Sequence, residues 1–166
     1  GLSLIFTVRF MGMLTTHKIS ADLFDDSFYL IAIRSDLEDY AITYAINSNC
    51  GLYLKRMKKD LHLEGNLFFS VFDWDDEMND VYWTLISNKS EVEEVLPSEG
   101  LFGNNVSKRT DYLVKERKEV DYFLKVDTAD ETLFAQKIKS INQIAKVITA
   151  YPLETQNLKS KRNLIF

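Results

Sequence analysis

Apolar positions along the chain change period several times, and each change marks an element. Ser27–Arg34 (SFYLIAIR) is a dense apolar run of strand length, and Thr16–Asp22 before it alternates weakly. Leu23-Phe24-Asp25-Asp26 reads as the turn that joins them into a first β-hairpin. From Ser35 the period becomes helical. Ser35 and Glu38 have the S-x-x-E spacing of a capping box, and Gly51 supplies a C-terminal stop. Leu37, Tyr40, Ala41, Tyr44 and Ala45 fall on one face of this helix, and Ile42 and Ile46 widen it. Asp39, Thr43 and Asn47 leave only a narrow polar stripe. Such a helix is expected to be covered on more than one side.

The strand period returns after Gly51. Leu52 and Leu54 open a short exposed strand. Asn66–Trp74 (NLFFSVFDW) and Asp80–Ser87 (DVYWTLIS) flank an acidic turn and predict an antiparallel hairpin. Asn88–Asn105 carries Pro97, Gly100 and Gly103 and reads as loop, with a short helix at Glu91–Leu96. Asp111–Glu116 reads as a strand. In Val120–Val126, Val120, Tyr122, Leu124 and Val126 alternate with Asp121, Phe123 and Lys125. Thr128 and Glu131 form a second capping-box pattern, and Phe134, Ile138, Ile141, Ala145 and Ile148 make one apolar seam up to Tyr151-Pro152. The order is β-β-α-β-β-β-(β)-β-α. Hairpins dominate, so the expected fold is α+β: a mainly antiparallel sheet with two helices, about 35–50 and 128–150, packed on it.

Composition bounds this picture. The chain of 166 residues suits one domain, and 46% hydrophobic residues are enough for a full core. Leu2–Leu14 is apolar but interrupted by Thr7 and Arg9. It falls short of the roughly 20 apolar residues that span a bilayer, and it lacks the basic start and cleavage site of a signal peptide. Residues 1–13 are read as an apolar extension from an upstream start, with Met11 and Met13 as candidate starts. Residues 14–166 are read as a single α+β domain. A net charge of −5 argues against nucleic acid as a partner, and the absence of an apolar span argues against a membrane. The lone Cys50 forms no intrachain disulfide, so a reducing cytoplasm is the expected location.

Candidate chemistry is sparse. Cys50 sits at a helix C-terminus, where the dipole disfavours a thiolate. His17 and His62 have no metal-ligand spacing. Asp73, Asp75, Asp76, Glu77 and Asp80 crowd one turn. Their spacing begins like a calcium loop, but Met78 stands at the glycine position and Thr84 at the closing glutamate, which leaves a solvated turn. The basic groups Lys55–Lys59 and Lys108–Lys118 have no phosphate-cradling glycine loop and suit exposed strand edges. No catalytic, cofactor-binding or metal residues emerge, and a non-enzymatic role is expected.

Val114-Lys115-Glu116-Arg117-Lys118-Glu119-Val120-Asp121-Tyr122 resembles the motif of the IPExxxVDY family of short uncharacterised bacterial proteins. Glu116, Val120, Asp121 and Tyr122 match its named letters. Val114 stands for Ile, and Lys115 replaces Pro. The segment around DSFYLIAIRSDLEDY also looks like that family's N-terminal half. The resemblance implies no activity. On one continuous strand Glu116 and Asp121 would face opposite sides, so the motif reads as structural unless a turn separates them.

Two functions remain as expectations. The first is a protein-interaction module that pairs with itself as a homodimer, or with another protein, through Tyr40, Tyr44, Ile42 and Ile46. The alternative is a small-molecule binder whose pocket between helix and sheet is lined by Phe68, Phe72, Trp74 and Trp83, with Tyr40 and Tyr44.

Overall fold

A computed structural model describes residues 28–97 and 105–166. The N-terminal extension, the strand Thr16–Asp22, the turn after it and His17 lie outside the described residues, as does part of the expected loop before Asn105.

The described chain opens with strand β1 (Tyr29–Ser35) and helix α1 (Asp39–Cys50). Five strands follow: β2 (Lys55–Arg56), β3 (Leu61–Leu63), β4 (Leu67–Phe69), β5 (Val71–Asp76) and β6 (Val81–Ser87). Then come β7 (Lys89–Leu96), β8 (Asn105–Tyr112), a 3-10 turn (Lys115–Arg117) and β9 (Tyr122–Asp127). Helix α2 (Glu131–Asn142), strand β10 (Val147–Pro152) and a final 3-10 turn (Lys161–Leu164) complete it. Six strands form one sheet in the order β10-β1-β9-β6-β5-β2, and β3–β4 and β7–β8 are separate two-stranded ribbons. Every pairing is antiparallel. The fold is α+β, as the hydropathy pattern predicts.

The sheet is covered on both faces. On one, Ile31 and Ile33 of β1, Leu124 and Val126 of β9, and Trp83 and Leu85 of β6 meet Ile42 and Ile46 of α1 and Phe134 and Ile141 of α2. On the other, Leu30, Ala32, Ile86 and Phe123 meet Leu67 and Phe69 of β4, and Leu153, Leu158 and Leu164 of the C-terminal segment. This double cover explains the unbroken apolar run of β1. It also buries Phe123, whose side of β9 the alternation assigns to the polar set. Full burial of such a side chain stabilises by roughly 1.5–3 kcal/mol.

Both capping boxes are corrected. Ser35 is the last residue of β1. Its Oγ donates to the Lys146 carbonyl at 2.8 Å and accepts from the Leu37 N–H at 3.2 Å. Helix α1 starts after Glu38 with no side-chain cap. Helix α2 is capped by Asp130, whose Oδ1 accepts from the Leu133 N–H at 3.1 Å. The Thr128 Oγ instead accepts from the Asp130 N–H. The stop at Gly51 is as expected: φ is 67°, and its N–H reaches the Asn47 carbonyl at 3.1 Å.

Other boundaries move for identifiable reasons. Helix α2 ends at Asn142 rather than near 150, because the Asn142 amide bonds both the N–H and the carbonyl of Ala150. The β-branched run Val147-Ile148-Thr149 then pairs with β1 as an edge strand. The expected strand Asn66–Trp74 breaks at Ser70. Its first part turns back on β3 through Gly65 and Asn66, at φ 84° and 58°, so β4 leaves the main sheet. Glu91–Leu96 is not a helix. It pairs residue for residue with β8, from Lys89 opposite Tyr112 to Leu96 opposite Asn105. The strand expected at Asp111–Glu116 ends at Tyr112. Among the described residues no helix is long and apolar enough to cross a membrane.

Candidate functional site

The motif residues do not share one strand. Glu116 lies in the 3-10 turn and Tyr122 begins β9, with a Val120 N–H to Arg117 carbonyl bond between them. A turn therefore separates Glu116 from Asp121, and the two do not stand on opposite faces of one strand. Each polar member instead holds a distant piece of backbone. Asp121 accepts the Ser35 N–H at 2.9 Å through Oδ2 and the Lys89 ammonium at 2.5 Å through Oδ1. The Tyr122 hydroxyl donates to the Leu37 carbonyl at 2.5 Å. Glu116 accepts the Ser160 N–H at 2.8 Å and the Ser160 hydroxyl at 2.7 Å. Val114 and Val120 are fully buried.

Titration follows these contacts. The hydrogen bond to Asp121 raises the Lys89 pKa. Burial raises that of Tyr122. Burial alone would raise the Glu116 value, but the bonds from Ser160 and the backbone N–H groups of Glu116 and Lys159 together turn the net shift downward.

Asn88 ties this group together. It is 0% exposed between β6 and β7. Its Nδ2 donates to the Arg117 and Val120 carbonyls at 2.8 and 2.9 Å, and its Oδ1 accepts the Val114 N–H at 2.8 Å. Its backbone bonds the Asp121 carbonyl and the Leu113 N–H. One amide side chain thus fixes the root of the β7–β8 ribbon to the motif. The sequence displays Asn88 only as the first residue of an N-x-S pattern, so its role stays hidden until the two segments meet.

A cleft of about 510 Å³ opens beside Asp121 and Tyr122, with Asp36, Glu38, Asp39, Arg56 and Asp60 around it. Arg56 is paired with Asp60. Among the described residues no group of three or more His, Cys, Asp or Glu side chains could hold a metal ion. At the acidic β5–β6 turn, Asp76 accepts from the Asn79 side-chain amide at 2.7 Å, which closes the turn. His62 stacks on Phe68 with ring centroids 4.5 Å apart. Cys50 is buried, and burial pushes its thiol pKa up against the opposing charge of Lys137.

The expected interaction surface separates into two parts. Tyr40 and Tyr44 are 70% and 75% exposed, but Ile42 and Ile46 are fully buried against the sheet. The helix is rotated relative to the face that the spacing favours, because Thr43 bonds its hydroxyl to the Asp39 carbonyl and can sit inside. The β7–β8 arm is also largely exposed. Val95 and Val106, directly opposed, are each 59% exposed.

The expected pocket lining separates as well. Phe72 is core, and Phe68 lines the polar cleft. Trp74 and Trp83, opposed on β5 and β6, line a different cavity of about 330 Å³ together with Tyr53, Leu133 and Lys137. Tyr40 and Tyr44 do not reach it. No family model, curated protein or solved structure matches the chain.

Proposed function

We propose that this domain is a non-enzymatic protein-interaction module that pairs with a second copy of itself through the β7–β8 arm. One observation carries the reading. The arm is a ladder of eight residues per strand in which only Ser90 is buried. An isolated two-stranded hairpin is marginally stable in water.

The arm's charge pattern favours a second copy as its partner. On one face lie Glu93 opposite Lys108 and Val95 opposite Val106. Stacking two such faces about a twofold axis along the ribbon lays each acidic strand over the partner's basic strand. The valine pair then lies over its own counterpart. A closed twofold contact needs this self-complementarity. The exposed Tyr40 and Tyr44 enlarge the surface available to partners, since tyrosine is enriched at interfaces. The motif resemblance adds no activity to this reading, and the lone buried thiol suits a reducing cytoplasm.

Sedimentation velocity over a concentration series tests the proposal. The wild type is expected to dimerise. The double variant V95D/V106D should weaken the dimer by more than about tenfold. Glu93→Lys should weaken it too, and adding Lys108→Glu should restore it. A wild type that stays monomeric, or a dimer indifferent to these variants, overturns the reading.

A further inference from the structure

We propose that Asn47 and Asn142 are edge guards that close the main sheet to strand addition by a second copy of this chain. Among the described residues, β10 and β2 are the outer strands of the six-stranded sheet. An outer antiparallel strand turns the N–H and carbonyl of every second residue away from the sheet, where an added strand can bond them. In β10 the Leu153 N–H bonds the Leu30 carbonyl, so the alternation turns Ala150, opposite Ile33, outward. Asn142, the last residue of α2, takes both the N–H and the carbonyl of Ala150, at 2.8 and 2.7 Å. At the other edge the Met57 N–H bonds the Val71 carbonyl, which turns Leu54 outward. Asn47 of α1 takes the N–H and the carbonyl of Leu54 at 2.9 and 3.0 Å. A side-chain amide offers the same donor and acceptor as a peptide group. Each asparagine therefore fills the place that an added strand would take.

The two edges differ in what stands beside the guard. Strand β2 consists of Lys55 and Arg56, both exposed, and Lys58 and Lys59 follow. A second copy laid on this edge would bring like charges together. Strand β10 (VITAYP) has no charged side chain. Its Ile148 is 58% exposed and sits at a register shift, since Thr149 pairs with Arg34 but Val147 with Ser35. At the far end Pro152 has no N–H to offer. An uncharged, β-branched edge with an exposed isoleucine is the kind that adds strands. The bulge and the proline restrict the two ends of β10, and Asn142 closes its middle. The β10 edge therefore depends on its asparagine more than the β2 edge does.

The test uses the full chain carrying V95D/V106D as parent, so that pairing through the arm does not contribute and a failure of that reading leaves this one standing. In sedimentation velocity, Asn142→Ala in this parent should strengthen self-association at least about tenfold. Adding Ile148→Lys should return it to the level of the parent, because an edge lysine opposes pairing. Asn47→Ala should associate less than Asn142→Ala, because the cations of β2 remain. A folded Asn142→Ala chain that associates no more than the parent overturns the guard. A gain that survives Ile148→Lys overturns pairing at the β10 edge. Asn47→Ala associating as strongly as Asn142→Ala overturns the part assigned to charge. Amide hydrogen exchange of the wild type keeps the proposal open to refutation even where Asn142→Ala does not fold. The Ala150 and Leu54 amides, although turned away from the sheet, should exchange at least about tenfold more slowly than unprotected amides. Exchange at the unprotected rate means that the guards stand open in solution, and overturns the proposal.

Discussion

Strand β9 and the β7–β8 arm are built from the same kind of antiparallel ladder, yet they differ in everything that surrounds it. The arm has the longer ladder, eight paired residues against six between β6 and β9. Strand β9 is covered on both faces, with Phe123, Leu124 and Val126 fully buried. The arm is held by cross-strand pairs in water, Glu93 with Lys108 and Glu94 with Arg109. Exposed ion pairs of this kind contribute about 0–1 kcal/mol each. Ladder hydrogen bonds therefore set the shape of both regions, and burial decides which of them carries the stability of the domain.

Truncation should expose the difference most strongly. Phe123→Ala is expected to destabilise the domain by roughly 3–5 kcal/mol in chemical denaturation. Val106→Ala should stay within about 0.5 kcal/mol for the monomer. Similar costs at the two positions would break the contrast.

Asn88 is the point where the regions join, and Asn88→Ala should cost about 2–3 kcal/mol, because the Val114 N–H and two carbonyls lose their partner in a largely buried site. Faster amide exchange at Leu113 and Val114 would sharpen the assignment to the arm's root. Unchanged exchange there would contradict it.

The smallest expected effect is at Glu116. Its folded pKa lies below the ordinary 4.5, so its bonds to Ser160 add stability above that value and lose it as pH falls through the folded pKa. Melting of the wild type and Glu116→Ala should therefore differ at neutral pH and converge in acid. A gap that widens in acid would refute the sign.

Much of the fold is legible in the sequence because burial imprints period. The runs at Ser27–Arg34 and Asp80–Ser87 and the stop at Gly51 lead directly to β1, β6 and the end of α1. The failures are places where a side chain answers to a distant partner. Ser35 looks like a cap until Lys146 arrives beside it. Ala145 and Ile148 continue a helical seam, but Asn142 and the edge of β1 claim that segment for a strand. Glu91–Leu96 looks like a loop or helix because the basic strand that pairs with it lies beyond Pro97. The candidate sites follow the same rule. Trp74 and Trp83 are visible as strand aromatics, whereas Tyr53 and Lys137 join them only through the packing of α1 and α2.

The buried amide of Asn88 also divides the chain into parts that can change at different rates. The segment from Val114 to Tyr122 is tied to the sheet through many partners, so substitutions there are constrained together. Beyond Val92, which still packs on the core, and its partner Arg109, the ribbon answers mainly to itself. Paired residues could be added to or removed from both strands together without disturbing the root. In related chains, arm length should therefore drift freely while the asparagine at its base is retained.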